Sequence, residues 1–125
     1  MKVVDASVIV ELLVNDLSPT KLGDEPLAAP HLIDSEVTNV LRNLTLRGVL
    51  SERQGAEALD GFGRLVLTRF PAAFLRHRIW AHRHNLSAYD ATYVALAETI
   101  GATRLLTTDA KIASAPGTTC EIEVL

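Results

Sequence analysis

Cysteine is almost absent from this chain: Cys120 is the single one among 125 residues. One thiol excludes an intramolecular disulfide framework and a zinc site built from cysteines, and it favours a reducing compartment. The sequence also lacks an apolar run long enough to cross a bilayer, and its first residues lack the apolar core of a signal peptide. We therefore expect a cytoplasmic protein with no membrane partner.

An excess of positive charge is missing as well. Lys and Arg number 12 and Asp and Glu 15, so the formal net charge is −3 at pH 7. This balance argues against a generic basic protein that coats nucleic acid. It does not exclude a nuclease, because acids around a metal lower the net charge without repelling a metal-neutralised phosphate. With no internal repeat and 48% hydrophobic residues, we expect one domain over residues 1–125.

Hydrophobic spacing and breaking residues predict strands that alternate with helices. For example, Ile33, Val37 and Leu41 recur at helical spacing, and Ser51 with Gln54 forms a capping box. Alternation of this kind predicts an α/β fold with a parallel central sheet flanked by helices. The predicted strands are 3–4, 67–70, 104–107 and 121–125; the predicted helices are 7–14, 32–47, 51–66, 72–84, 87–100 and 110–114, and 15–30 is predicted to be a loop.

Four acidic residues stand in small or apolar surroundings: Asp5, Glu36, Asp90 and Asp109. A buried carboxylate without a partner costs several kcal/mol or takes up a proton. No Lys or Arg stands beside most of the four, which indicates a missing cation, and oxygen ligands favour Mg²⁺ or Mn²⁺. Asp5 and Asp109 follow predicted strands, and the other two lie near helix starts. In a parallel sheet these positions face the same crevice, so we expect the four acids to converge there.

Each of these acids also has a purely structural interpretation. Asp5 and Asp109 suit the N-cap of the helix that follows, and Ser87 with Asp90 fits a capping box. Glu36 is harder to explain in this way, because it borders the apolar stripe of its helix. Several other acids look ordinary and are expected in loops or on solvated faces: Asp24, Glu25, Glu52, Glu57 and Glu98.

The segment 72–84 is rich in Arg and His and has no acid. Its histidines lack a convincing set of partner ligands, so we do not expect a zinc site. Its arginines, Arg76, Arg78 and Arg83, have two interpretations. They form either a solvated helix face or a surface that binds RNA phosphates, with Trp80 able to stack on bases.

Four motifs follow one another in the sequence: Val-Val-Asp-Ala-Ser at 3–7, Asp-Ser-Glu-Val-Thr-Asn at 34–39, Ser-Ala-Tyr-Asp-Ala at 87–91 and Leu-Leu-Thr-Thr-Asp at 105–109. Each motif alone is weak, but the ordered set is specific. It resembles the PIN-domain family, and within it the VapC toxins of bacterial toxin–antitoxin pairs of mycobacterial type. The resemblance extends from the first residue to the last predicted strand.

This resemblance implies a PIN domain with metal-dependent endoribonuclease activity. It implies that Asp5, Glu36, Asp90 and Asp109 are the catalytic acids that hold Mg²⁺ or Mn²⁺, supported by Ser7 and Thr107. The usual substrate in the family is structured RNA, a tRNA or ribosomal RNA loop. A VapB-type antitoxin, a homodimer and a toxin–antitoxin hetero-oligomer are also implied.

Three alternatives remain at this point. A phosphoaspartyl phosphohydrolase also begins with an apolar strand and an Asp, but it needs a second Asp where this chain has Ser7. A non-catalytic binding module would use the acids only as helix caps and would bind no Mn²⁺. A PIN-family RNA-processing nuclease without an antitoxin would differ only in its genetic neighbourhood and its effect on growth.

Overall fold

A five-stranded parallel sheet forms the centre of the computed structural model, which describes residues 1–125. The strand order is β3-β2-β1-β4-β5, and all four pairings are parallel. The predicted α/β architecture is confirmed. The strands are β1 Lys2–Val4, β2 Leu27–Pro30, β3 Thr68–Phe70, β4 Leu105–Thr107 and β5 Ile122–Val124.

Six α-helices connect these strands. The helices α1, α2 and α3 pack on one another, and α4 packs on α5. Because parallel crossovers are right-handed, strand order places these two groups on opposite faces of the sheet. No helix is both long and apolar enough to span a membrane. The helices are α1 Ala6–Val14, α2 Leu32–Leu46, α3 Glu52–Arg64, α4 Arg76–Ala81, α5 Ala88–Ile100 and α6 Ala110–Ser114.

The central strands are short apolar runs because both of their faces are covered. Val3 pairs in register with Leu105, and Val4 with Leu106. All four side chains are fully buried, as is typical of strands in a parallel sheet with helices on both faces. Each such side chain contributes about 1.5–3 kcal/mol of transfer free energy to folding.

The helix α5 is the most deeply buried helix of the chain. Every residue from Ala91 to Ala97 is buried, and the helix contacts β1, β2 and β4. A helix without a polar face cannot lie at the surface. Its alanines allow it to approach the sheet closely. Gly101 ends it in a left-handed conformation, directly after Ile100, where the predicted helix ends.

The structure corrects two predicted elements. The segment 15–30, predicted as a loop, ends in the strand β2, which lies between β1 and β3. The predicted basic helix 72–84 is instead a 3-10 turn, Ala73–Leu75, followed by the short α4. The chain leaves the helix at His82, whose ring is buried.

The strand order reverses its direction between β1 and β4. The chain proceeds from β1 to β2 on one side and from β4 to β5 on the other. At such a switch point the connections leave in opposite directions, which opens a crevice at the carboxyl ends of the two strands. This position decides where the acidic residues meet.

Candidate metal-binding active site

Asp5 lies directly after β1, at the bottom of the crevice. Only 4% of it is exposed. Its Oδ1 accepts hydrogen bonds from the Ser7 hydroxyl (2.6 Å) and the Val8 amide (3.2 Å), so it caps α1 as the sequence allowed. Capping uses only Oδ1 of this carboxylate, so Oδ2 is available for a contact with the neighbouring strand.

Two hydroxyl groups connect Asp5 to the end of β4. Thr107 Oγ1 donates to Asp5 Oδ2 at 2.5 Å and accepts from the Asp109 amide at 2.9 Å. Ser7 Oγ, which donates to Asp5, accepts from the Thr108 amide at 3.0 Å. Each hydroxyl therefore fixes the Asp5 carboxylate and the chain that leads to Asp109 at the same time.

Glu36 projects from the second turn of α2 and is held by a residue that the sequence analysis did not identify. The Tyr93 hydroxyl donates to Glu36 Oε1 at 2.5 Å, and the Tyr93 side chain is almost fully buried in α5. Burial and the neighbouring Glu36 carboxylate raise the Tyr93 pKa, so the hydroxyl keeps its proton and remains a donor. The available signal was spacing, because Tyr93 lies one helical turn after Asp90.

Asp90 and Asp109 lie at the starts of α5 and α6. The Asp90 amide donates to the Ser87 hydroxyl, which caps α5. Asp109 Oδ1 accepts from the Lys111 amide at 2.9 Å and caps α6. The predicted capping roles of Asp5 and Asp109 are thus real, and they coexist with the common location of all four acids around the crevice.

Electrostatic coupling shows that these acids share one environment. Burial raises the pKa of Asp5, against hydrogen bonds that lower it, and the charge of Asp90 adds to the rise. Burial also raises the pKa of Glu36, with further contributions from Asp90 and Asp5. For Asp90, burial comes first and the charge of Asp109 second. Like charges in one partly desolvated site have this effect.

The donor set fits a hard divalent cation. None of the ion pairs in the structure involves Asp5, Glu36, Asp90 or Asp109. Their carboxylates do not form a closed cage, since no three His, Cys, Asp or Glu side chains are arranged to enclose an ion. Mg²⁺ does not need one, because it binds through one or two carboxylates and keeps several waters.

The three arginines proposed for RNA contact separate into two groups. Arg76 and Arg83 line a cavity of about 400 Å³ that reaches Ser87 at the start of α5. The Arg83 guanidinium lies 4.8 Å from the centre of the exposed Trp80 ring. Arg78 instead points to Glu98, with Nε 3.3 Å from Oε1.

Glu98 was expected on a solvated face, and that prediction is wrong. Its side chain is 1% exposed. Its Oε1 lies 2.7 Å from His82 Nε2, and its Oε2 accepts from the amide and hydroxyl of Thr119, both at 2.8 Å. Burial opposes ionisation, but these hydrogen bonds outweigh it and lower the Glu98 pKa. The carboxylate accepts, so His82 Nε2 carries the hydrogen-bonding proton.

Comparison with known proteins identifies the family. The sequence model of the PIN domain matches residues 2–117. Ribonuclease VapC9 of Mycobacterium tuberculosis is 44% identical over 126 residues, which cover 100% of this chain and 98% of that protein. Ribonuclease VapC1 of the same species is 39% identical, with 98% and 96% covered.

Solved structures with lower identity share the fold. Mycobacterium tuberculosis VapC20, described as a sarcin–ricin loop cleaving toxin, has a TM-score of 0.69 at 17% identity; the match covers 95% of this chain and 97% of that one. VapBC2 from Rickettsia felis, bound to a DNA fragment from its promoter, has a TM-score of 0.73 at 14% identity, with 99% and 98% covered. By the matched domain and the full-length identities, the chain belongs to the PIN-domain family, and within it to the VapC ribonucleases.

Proposed function

We propose that this chain is a Mg²⁺- or Mn²⁺-dependent endoribonuclease that cleaves structured RNA, a tRNA or ribosomal RNA loop, as the toxin of a toxin–antitoxin pair. The observation that carries the proposal is the crevice at the β1–β4 switch point, where Asp5, Glu36, Asp90 and Asp109 share one environment without a cationic partner. Membership of the VapC ribonucleases supports the activity.

The four acidic side chains have different roles in the proposed reaction. Asp5 and Asp109 are fixed by the Thr107 hydroxyl and provide rigid oxygen ligands together with Asp90. A bound divalent ion would supply a water of lowered pKa and would neutralise charge on the scissile phosphate. Glu36 has Oε1 occupied by the Tyr93 hydroxyl, whereas Oε2 has no partner in the protein. We assign to Glu36 Oε2 the acceptance of the proton from the attacking water.

Contact with RNA outside the crevice is assigned first to Arg76 and Arg83. Their cavity leads to the start of α5, where Asp90 lies, and Trp80 offers an exposed ring beside them. Arginine binds phosphate with two parallel hydrogen bonds, and an aromatic ring stacks on bases of any sequence. Arg78 contributes less to RNA binding in this arrangement, because its guanidinium is engaged with Glu98.

A VapB-type antitoxin is the proposed protein partner. A groove of about 310 Å³ runs between α2 and α3 and is lined by Leu41, Leu46 and Leu59. Leu46 is 66% exposed and the nearby Val49 60%. Exposed apolar patches of this kind mark protein-binding surfaces. The antitoxin would cover this groove, and homodimers of the toxin would give a larger hetero-oligomer.

Cleavage of bulk tRNA and ribosomal RNA by the purified chain tests the catalytic part. We expect cleavage with Mg²⁺ or Mn²⁺, none with excess EDTA, and none with Asp5→Asn, Asp90→Asn or Asp109→Asn. Asp60→Asn is the matched control, because Asp60 is an exposed acid on α3. Full activity in EDTA would exclude the metal-dependent mechanism.

Induced expression in a bacterial host tests the toxin part. Growth arrest that requires Asp5 and is relieved by the neighbouring small reading frame would support a toxin–antitoxin pair. Harmless expression of an active, folded nuclease would indicate an RNA-processing enzyme instead. A folded chain that binds no Mn²⁺ and cuts no RNA would indicate a non-catalytic binding module.

A further inference from the structure

Two adjoining shallow cavities along α2 form one strip of surface beside the acidic crevice. Their volumes are about 450 and 490 Å³, and they share Ser35 and Asn39. The first cavity reaches Glu36 and Tyr89, and the second reaches Arg42. The strip, called the α2 strip below, therefore leads from a proposed catalytic acid to a positive charge.

Tyr89 supplies an aromatic face at the end of the strip nearest the crevice. It directly precedes Asp90, is 64% exposed and makes no side-chain hydrogen bond. Its ring lines the same cavity as Glu36. A flat apolar ring held open beside a phosphodiester-cleaving site is suited to stack on a nucleobase.

The charges along the strip favour a polyanion. Asp34 lines the second cavity, but Arg69 neutralises it through two hydrogen bonds of 2.7 and 2.8 Å. Arg42 has no carboxylate partner, and its only side-chain hydrogen bond goes to the Asn43 side-chain oxygen at 3.1 Å. Arg42 is thus the unmatched charge of the second cavity.

Helical spacing aligns the polar groups of the strip. Ser35, Asn39 and Arg42 follow one another at intervals of four and three residues, so they lie on one face of α2. All three are exposed, and the Asn39 amide has no partner within the protein. An amide that both donates and accepts can bind the edge of an unpaired base.

We propose that the α2 strip binds a single-stranded segment of the RNA substrate next to the cleaved bond. Tyr89 stacks on one base, Asn39 hydrogen-bonds to the edge of that base, and Arg42 binds a neighbouring phosphate. This inference rests on the proposed function, because it assigns substrate contacts to the same site.

Binding of fluorescently labelled RNA tests these assignments residue by residue. Fluorescence anisotropy is measured across a salt series with Ca²⁺ present, using short homopolymers of A, C and U and bulk tRNA, and gels confirm that the RNA stays intact. We expect Tyr89→Ala to weaken binding at least about fivefold with an unchanged salt slope, because stacking carries no charge. Arg42→Ala should reduce the log–log salt slope by about 0.7, the value for one single-strand phosphate contact.

Matched variants separate these contacts from general effects. Tyr89→Phe keeps the ring and should bind as the wild type does. Arg47→Ala removes an exposed arginine directly after the same helix and outside the strip, and should leave the slope unchanged. Asn39→Ala should reduce differences in affinity among the three homopolymers.

The possible failures are distinguishable. Wild-type affinity for Tyr89→Ala together with a wild-type slope for Arg42→Ala would overturn the strip proposal while RNA cleavage by the wild type still stood. If Tyr89→Ala and Arg42→Ala lose antitoxin binding but keep RNA binding, the strip belongs to the protein partner, and the strip proposal is again overturned. If the wild type neither binds nor cuts these RNAs, the proposed function itself fails.

Discussion

Thr107 is a single residue whose hydroxyl fixes two acids at once. The side chain is fully buried, donates to Asp5 and accepts from the Asp109 amide. Neither contact survives if the hydroxyl is replaced by a methyl group of the same size. The positions of Asp5 and Asp109 therefore depend on one oxygen atom.

We expect Thr107→Val to lower the free energy of unfolding by about 1–3 kcal/mol, because it leaves buried hydrogen-bonding groups unpaired. RNA cleavage should fall strongly at the same time. Urea unfolding and a cleavage assay measure the two effects. Thr107→Ser keeps the hydroxyl and should retain most of the activity; equal behaviour of the Val and Ser variants would argue against the role of the hydroxyl.

Tyr93 orients Glu36 without belonging to the four acids. We expect Tyr93→Phe to weaken Mn²⁺ binding or RNA cleavage by roughly 10–100-fold, the usual cost of removing a hydrogen bond to a metal-site carboxylate. Isothermal titration with Mn²⁺ and cleavage kinetics provide independent readouts. The ring stays in place, so circular dichroism should show an unchanged fold; wild-type metal affinity and activity would remove Tyr93 from the site.

The sequence and its family resemblance indicated the four acids and the two supporting hydroxyl residues, but not the tyrosine that holds one of the acids. Asp5 and Asp109 follow apolar strands, and that position alone brings them to the switch point. Tyr93 is an aromatic residue in an alanine-rich helix, where a core role is the common expectation. Glu98 was misjudged because its partner His82 lies 16 residues away. Burial of such pairs arises from tertiary packing, which local patterns do not contain.

At the scale of elements, the contact between α2 and α3 depends on a glycine. A Cβ added to Gly55 would lie 2.4 Å from Thr45 Oγ1. That oxygen is not free to move away, since it donates to the Leu41 carbonyl at 2.8 Å. The two helices approach each other closely because Gly55 has no side chain.

We expect Gly55→Ala to destabilise the protein by about 1–3 kcal/mol through overpacking, despite the higher helix propensity of alanine. Gly63→Ala, on the same helix, is the control. Nothing lies within 4 Å of its added Cβ, so it should stabilise by about 0.5–1 kcal/mol. Thermal unfolding of both variants checks the difference in sign, and a stabilised Gly55→Ala would show that α2 and α3 can move apart freely.

Element prediction succeeded where the local signals were strong. The capping box of Ser51 and Gln54 is present in both directions, with distances of 3.0 and 2.8 Å. The strand β2 was missed because its sequence is Leu-Ala-Ala-Pro. Alanine and proline are disfavoured in strands. This strand forms because β1 and β3 on its two sides supply hydrogen bonds and buried surface.

At the scale of the whole molecule, Glu98 joins parts of the chain that are distant in sequence. It lies on α5, bonds to His82 after α4 and to Thr119 before β5. Since its pKa is lowered in the folded state, its ionised form stabilises the fold. This stabilisation is complete above the pKa of the unfolded chain and is lost as the pH falls through the folded pKa.

We expect Glu98→Gln to reduce the free energy of unfolding by about 1–3 kcal/mol at pH 7. The difference from the wild type should shrink as the pH falls through the lowered pKa of the wild-type Glu98 carboxyl, because its charge is lost there. Urea unfolding over a pH series measures it. Glu121→Gln is the control, because Glu121 is an exposed acid two residues after Thr119. It should change the free energy of unfolding little. A difference in the free energy of unfolding that is constant with pH would mean that the Glu98 charge contributes nothing to stability.

The pairing of β1 with β4 has a consequence for synthesis of the protein. Val3 pairs with Leu105, and the Asp5 carboxylate accepts a hydrogen bond from Thr107, 102 residues later in the chain. The chain through Thr107 must therefore leave the ribosome before the crevice can assemble, since a contact so distant in sequence forms only after both of its partners are available. A nascent chain halted before β4 carries Asp5, Glu36 and Asp90 but lacks Thr107 and Asp109, so the site is incomplete.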